Sequence, residues 1–274
     1  MLKERYKFDF SRIFNEDSFH IEYCITDICN RNCASCSHLA PLAQKPNFVN
    51  KEEFHFAMNI LSKLLPDTHT FWLTGGEPTL HPEFIELLDL ASNAFSNSFV
   101  GIYSNGSTLE KYAHSAEFWK FMRKRGVVWA ITDYGVPRDY YEELFGKNGC
   151  INNLTFVQSG AAFLRLTNYS RGQEVSESKF EKCGWERSKI NIRNKKIYNC
   201  PSAEFADLFN KYFNENLVVS NRDYLEISEN LTREQIEKFR VATPFCGQCD
   251  LSLRNNIFIN TPSKKLKSEW SSLT

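Results

Sequence analysis

From Phe19 to Thr167 the chain alternates between short runs of β-forming residues and longer stretches of helical period. That alternation limits the possible folds more than any other feature. "FHIEYCIT" (19–26), "HTFWLT", "SFVGIYS", "VVWAIT", "NLTFVQ" and "AFLRLT" read as six strands. "NKEEFHFAMNILSKLL" opens at Asn50, a helix N-cap, and spaces Phe54, Ala57, Met58, Leu61 and Leu65 along one helical face. "EFIELLDLASNAF" follows Pro82, "EKYAHSAEFWKFMRKR" stops at Gly126, and "RDYYEELFG" is a shorter helix. Strands separated by helices imply a parallel sheet wound by crossover connections. The fold class is therefore α/β, and about 150 residues suit an open, partial (β/α)6 barrel better than a closed eight-stranded one. Trp72 and Trp129 are expected in its core.

A second pattern begins after 169–182, where Ser, Arg, Gly, Gln and Glu accumulate as in a linker. "SKINIRNKKIYNC" reads as a hairpin turning at Asn194-Lys195. "SAEFADLFNKYF" reads as a helix, and "LTREQIEKFRVA" as another with a Thr232/Gln235 capping box. The division expected is an N-terminal extension (1–18), a partial barrel (19–168), a linker (169–182), a small α+β domain (183–260) and a solvated basic tail (261–274).

The chain has 274 residues, 33 basic and 33 acidic side chains, and no long run of one charge. Steering toward nucleic acid or an anionic membrane is not expected. No membrane-length apolar segment or signal-peptide core is present, which gives the expectation of a cytoplasmic protein. Nine cysteines are many for a reducing compartment, where disulfides are rare, so metal or redox use is the leading account of the clustered ones.

Spacing sorts those cysteines. Cys29, Cys33 and Cys36 form C-x3-C-x2-C directly after the first strand. Cys183, Cys200, Cys246 and Cys249 form a second set, and Cys24 and Cys150 remain. Ligands of parallel α/β folds gather at the C-terminal ends of the strands. The first set shares that end with "GGEP" (Gly75, Gly76, Glu77, Pro78) after strand two, Ser104 and Asn105 after strand three, and Asp133 and Tyr134 after strand four. Thiolates are soft ligands for zinc and iron–sulfur clusters, and three of them leave one iron of a cubane open. Zinc held by the three cysteines and His38 is the alternative.

C-x3-C-x2-C followed by "GGEP" resembles the radical S-adenosylmethionine (SAM) enzymes over residues 19–168. The resemblance implies a [4Fe-4S] cluster on Cys29, Cys33 and Cys36 that binds SAM. It also implies reductive SAM cleavage to a 5′-deoxyadenosyl radical, and an electron donor such as flavodoxin or ferredoxin. It brings Gly75, Gly76, Glu77 and Pro78 to the SAM amino group, and Ser104 and Asn105 to its ribose or carboxylate. Where many members carry an aromatic residue beside the adenine, this chain has Ser35, so His38 or Tyr103 is the substitute contact. The C-terminal region is similar to twitch domains, the short form of SPASM domains. Its spacing resembles that of a dehydrogenase that oxidises an aminocyclitol in the butirosin pathway. This implies a second, auxiliary [4Fe-4S] cluster on Cys183, Cys200, Cys246 and Cys249, with structural zinc as the alternative.

The resulting expectation is oxidation of a sugar, cyclitol or sugar nucleotide at a carbinol carbon, with the auxiliary cluster accepting an electron. Arg165, Asp133 and Tyr134 are the candidate substrate contacts. The alternatives are a peptide maturase, to which the short stretch before strand one is an objection, and an epimerase with Cys24 or Cys150 as hydrogen donor. A non-enzymatic metal-binding protein is the remaining rival.

Overall fold

The computed structural model describes residues 18–135, 137–157, 162–164, 168–171, 175, 177–183, 189–253, 256–258 and 261–273. The first strand and helix are β1 (Phe19–Thr26) and α1 (Lys51–Leu64), followed by β2 (Thr68–Gly75) and α2 (Phe84–Ala94). Then come β3 (Phe99–Ser104), α3 (Ala116–Arg125), β4 (Val128–Thr132), α4 (Arg138–Lys147) and β5 (Leu154–Val157). β1 to β5 pair in sequence order, all parallel. The α/β reading of this half therefore holds.

The sixth strand departs from the expected barrel. β6 (Ala162–Leu164) leaves the main sheet and pairs antiparallel with β10 (Asn256–Phe258). The main sheet grows at its other edge instead. β7 (Lys189–Arg193) lies parallel to β1, and β8 (Lys196–Tyr198) and β9 (Tyr224–Glu226) follow antiparallel. The result is one mixed eight-stranded sheet, in the order β5-β4-β3-β2-β1-β7-β8-β9. The hairpin turns as expected, because Asn194 and Lys195 both take positive φ, the geometry of a type I′ turn.

Alternation along β1 sets the two faces of the sheet. Phe19, Ile21, Tyr23 and Ile25 are buried in the core cluster that also holds Phe54, Met58 and Leu61 of α1. Each such side chain contributes about 1.5–3 kcal/mol on full burial. The even positions, His20, Glu22, Cys24 and Thr26, point to the opposite face. Trp129 joins the main core, as expected. Trp72 is buried as expected too, in a smaller core cluster with Val128 and Ala130, where it stacks on Tyr103 at 4.5 Å.

Local signals fixed several helix ends. Asn50 accepts from the Glu53 amide, and Gly126 closes α3 at φ 68°. The Thr232/Gln235 capping box starts α8 (Arg233–Lys238). Two expected helices are shorter. Ser115 caps α3 by accepting from Phe118 N, so the stretch before it forms a separate 3-10 turn. The "SAEFADLFNKYF" helix splits into α6 (Pro201–Glu204) and α7 (Ala206–Phe213), because fully buried Phe205 occupies the junction. The remaining helix, α5 (Glu177–Lys182), falls within the expected linker. The stretch 261–273 is not a solvated tail, since Trp270 is fully buried in a second core cluster with Leu39, Tyr169 and Phe213 packed there.

One buried ion pair joins the added hairpin to the barrel. Arg193 donates to both Asp27 oxygens at 2.8 Å, to the Glu204 carbonyl at 2.9 Å and to Asp207 at 2.8 Å. Arg193 and Asp27 are both nearly inaccessible. Removing one partner strands a buried charge, which typically costs about 3–5 kcal/mol. Arg193→Ala is therefore expected to lower unfolding stability by about that much, read as a reduced urea midpoint at unchanged slope.

Candidate functional site

The loops after β1, β2, β3 and β4 meet at one end of the sheet. The close approach of the first two depends on glycine. The Gly76 amide donates to the Thr26 carbonyl at 2.8 Å, and the Glu77 amide to the Ile28 carbonyl at 2.7 Å. A Cβ on Gly76 would lie 2.1 Å from the Ile28 oxygen, and one on Gly75 2.2 Å from the Thr26 oxygen. Gly75 also takes φ 130°, a conformation that side chains disfavour. The backbone that carries the first cysteine is thus seated on "GGE".

Glu77 links this seat to the loop after β3. Its carboxylate is buried and accepts from Ser104 Oγ at 2.8 Å and Asn105 N at 2.7 Å, with Thr79 also donating. Burial pushes its pKa up, opposed by these hydrogen bonds. Glu77 therefore organises the loop that carries Ser104 and Asn105. Asn105 in turn donates from Nδ2 to Asn30 Oδ1 at 2.9 Å and lies 3.7 Å from Cys29 Sγ. Pro78 begins the short 3-10 turn that follows.

Cys29, Cys33 and Cys36 sit together on the loop after β1. Burial is the main cause of a raised pKa at each, with Cys29 pushed up to about 12 and Cys36 to about 11. Cys33 and Cys36 both raise Cys29 further, so the three thiols lie within electrostatic reach of one another. Among the described residues, no three His, Cys, Asp or Glu side chains stand at single-ion spacing. A part-buried trio of soft donors suits a cluster that takes thiolates and releases their protons.

Tyr134 stands beside this loop, with Cys33 Sγ 3.6 Å from its hydroxyl and the Arg31 guanidinium 4.3 Å from its ring centre. Asp133 does local work: it accepts from Gly135 N and from Arg138 Nε at 2.9 Å. His38 contacts Thr74 Oγ1 at 3.3 Å and packs edge-on against Phe205. Burial lowers its pKa and favours the neutral ring. Arg165 lies outside the described residues. Cys24 and Cys150 are both buried, the first near Asp27 and the Thr26 carbonyl, the second near the Asn148 carbonyl.

The second cysteine set converges from three places in the sequence. Cys183 follows α5, Cys200 precedes α6, Cys246 lies within a 3-10 turn at Pro244–Gln248, and Cys249 closes that turn. All four line one pocket, together with Phe180 and Phe245. Cys200 is partly buried and its pKa is raised, first by desolvation and then by Cys246, Cys249 and Cys183. Four soft donors in an apolar-walled pocket suit a fully ligated metal or cluster.

Sequence reasoning missed what holds the two sets together. The Ala34 amide donates to the Thr261 carbonyl, Ser263 N to Asn32 O, and Asn32 Nδ2 back to Ser263 O. Cys33 and Pro262 form an isolated bridge. Ser35 takes φ 54° and donates through Oγ to the Glu269 carbonyl at 2.7 Å. The space where an aromatic side chain was expected is therefore closed by the 261–273 segment. A tryptophan inside a basic stretch was the only sequence hint of this burial.

Two substitutions test the seat. Gly76→Ala is expected to cost about 2 kcal/mol or more through backbone overlap, measured as a lowered thermal midpoint. Glu77→Gln turns an acceptor toward the Asn105 amide into a possible donor. It is expected to cost about 1–3 kcal/mol, measured by chemical denaturation.

Comparison with known proteins agrees with this geometry. Residues 23–151 match the family described as the radical SAM superfamily. GTP 3′,8-cyclase of Mannheimia succiniciproducens is 30% identical over 139 residues, covering 49% of this chain and 39% of that protein. The antilisterial bacteriocin subtilosin biosynthesis protein AlbA of Bacillus subtilis is 27% identical over 167 residues, covering 61% of this chain and 34% of that protein. These matches thus span well under half the length of the curated relatives. Among solved structures, BtrN in complex with AdoMet and 2-DOIA superposes with a TM-score of 0.50 at 14% identity, covering 72% of this chain and 80% of that one. No described helix is long and apolar enough to cross a membrane. Residues 23–151, just under half of the chain, thus match the radical SAM superfamily, whose members hold a SAM-binding [4Fe-4S] cluster, and the fold likeness to BtrN extends beyond that match.

Proposed function

We propose that this chain modifies a peptide by radical SAM chemistry and completes a two-electron oxidation through a second cluster. Cys29, Cys33 and Cys36 would hold the first cluster, with Gly75, Gly76, Glu77, Ser104 and Asn105 shaping the SAM site. When bound, the first cluster and SAM supply a 5′-deoxyadenosyl radical that takes a hydrogen atom from substrate. The substrate radical must then lose one proton and one electron to become a closed-shell product. The convergence of Cys183, Cys200, Cys246 and Cys249 on one pocket carries this reading, because four protein ligands leave a cluster suited to electron transfer rather than to binding substrate. A small acidic electron carrier such as flavodoxin or ferredoxin would supply the reducing electron to the first site.

The peptide assignment is supported by AlbA, whose alignment reaches across more of this chain than that of the GTP 3′,8-cyclase relative. The second reading is oxidation of a sugar, cyclitol or sugar nucleotide, favoured by the fold likeness to BtrN over both halves of the chain. Tyr134 beside Cys33 is a candidate substrate or SAM contact in either case. An epimerase is less well supported, since the spare thiols Cys24 and Cys150 are both buried.

Anaerobic reconstitution tests the chemistry. About eight irons per chain are expected for two cubanes, and deoxyadenosine should form under strong reductant. Four irons with zinc would make the second site structural, and absence of deoxyadenosine would sink the radical reading. Candidate peptides and polyols bearing deuterium separate the two substrate classes by transfer of label to deoxyadenosine and a product two hydrogens lighter. With the true substrate, Cys246→Ser/Cys249→Ser is expected to keep SAM cleavage and lose at least tenfold of the oxidised product.

A further inference from the structure

We propose that Trp270 is a positioning residue for the three-cysteine loop, acting with Ser35 through the 261–273 segment. This rests on the reading that the loop holds a cluster. Trp270 is fully buried, yet its indole N–H has a single directed partner: the Cys36 carbonyl at 3.0 Å. The adjacent Glu269 carbonyl accepts from Ser35 Oγ, one residue before Cys36. Ala34 and Asn32 bind the start of the same segment, and Cys33 bridges Pro262. Five consecutive residues of the loop, 32–36, thus rest on one strap.

The strap is itself anchored at the other cysteine set. The Trp270 carbonyl accepts from Tyr169 N at 2.8 Å, and the Tyr169 carbonyl accepts from Ser272 N at 3.0 Å. Tyr169 bridges Cys249, its hydroxyl donates to the Ser202 carbonyl at 2.9 Å, and the next amide donates to Gln248 O. Glu269 stiffens the strap from within, its Oε1 accepting from the amides of Lys264 and Leu266. A short loop carrying three ligands in irregular backbone has little to hold its shape by itself. Here the tertiary strap supplies that hold, and it refers the first set to the second. Groups one step removed from a metal ligand commonly alter metal affinity by about 10–100-fold when lost.

Trp270→Phe keeps the aromatic volume and deletes only the N–H; Ser35→Ala deletes only the hydroxyl on the loop side. Both are prepared as the full chain, reconstituted anaerobically and challenged with EDTA, with iron release followed by absorbance. A Cys29→Ala/Cys33→Ala/Cys36→Ala variant reports the iron held by the second set alone. The expected result is about tenfold faster loss of first-site iron in Trp270→Phe, a smaller acceleration in Ser35→Ala, and an altered electron paramagnetic resonance signal on SAM addition. Release from the second set should stay at the unsubstituted rate. Unchanged first-site release in both variants overturns the proposal. So does equal acceleration at both sites, which would mean general loosening. If Trp270→Phe does not fold, Ser35→Ala alone decides. A native chain that takes up no iron at the first set would instead remove the cluster reading on which the proposal stands.

Discussion

The buried Arg193 guanidinium is the interaction on which the rest of the structure depends. It sits at the end of β7, where the added hairpin meets β1, and it clamps Asp27 just before the first cysteine. The same side chain holds the Glu204 carbonyl and Asp207, which belong to the helices after Cys200. One cation therefore fixes the start of the three-cysteine loop relative to the second cysteine region. Arginine suits this role because its planar fork offers several donors in fixed directions and stays charged when buried. Around it, Asp27 is also held by Asn47, and Phe205 lies against the guanidinium face.

The two cysteine sets differ in ways that bear on their proposed roles. The first is built on one loop, seated on the "GGE" backbone and fenced by Asn105 and Tyr134. It offers three thiols and lies where the strand ends open. The second is assembled from segments that are distant in sequence and offers four thiols in an apolar-walled pocket. An incomplete donor set can accept an outside ligand, whereas a complete one is suited to holding a cluster that only exchanges electrons. The strap through Tyr169 and Trp270 gives both sets a common mechanical reference.

Much of the first half was legible before the fold was known. β1 matches the predicted strand residue for residue, and β2 to β5 lie within a residue or so of their predicted ends. Short-range signals explain that success: period, Asn50 and Gly126 each act within a few residues. The "GGEP" and cysteine motifs were legible for the same reason, since loop length brings each to the same end of a parallel sheet. Glu77, however, proved to hold Ser104 and Asn105 in place, a task no local pattern reveals.

The sequence by itself determined the parallel order of β1 to β5, the grouping of seven cysteines into three and four, and the turn at Asn194-Lys195. Only the tertiary structure decided that β7 joins β1 as part of the same sheet, that β6 leaves it for β10, and that residues 261–273 close over Ser35 and Cys36. The physical reason is range. Helix caps, strand alternation and turns are set by neighbours along the chain, whereas an edge pairing or a buried strap depends on contacts between residues far apart in the sequence, which leave no periodic trace in either segment.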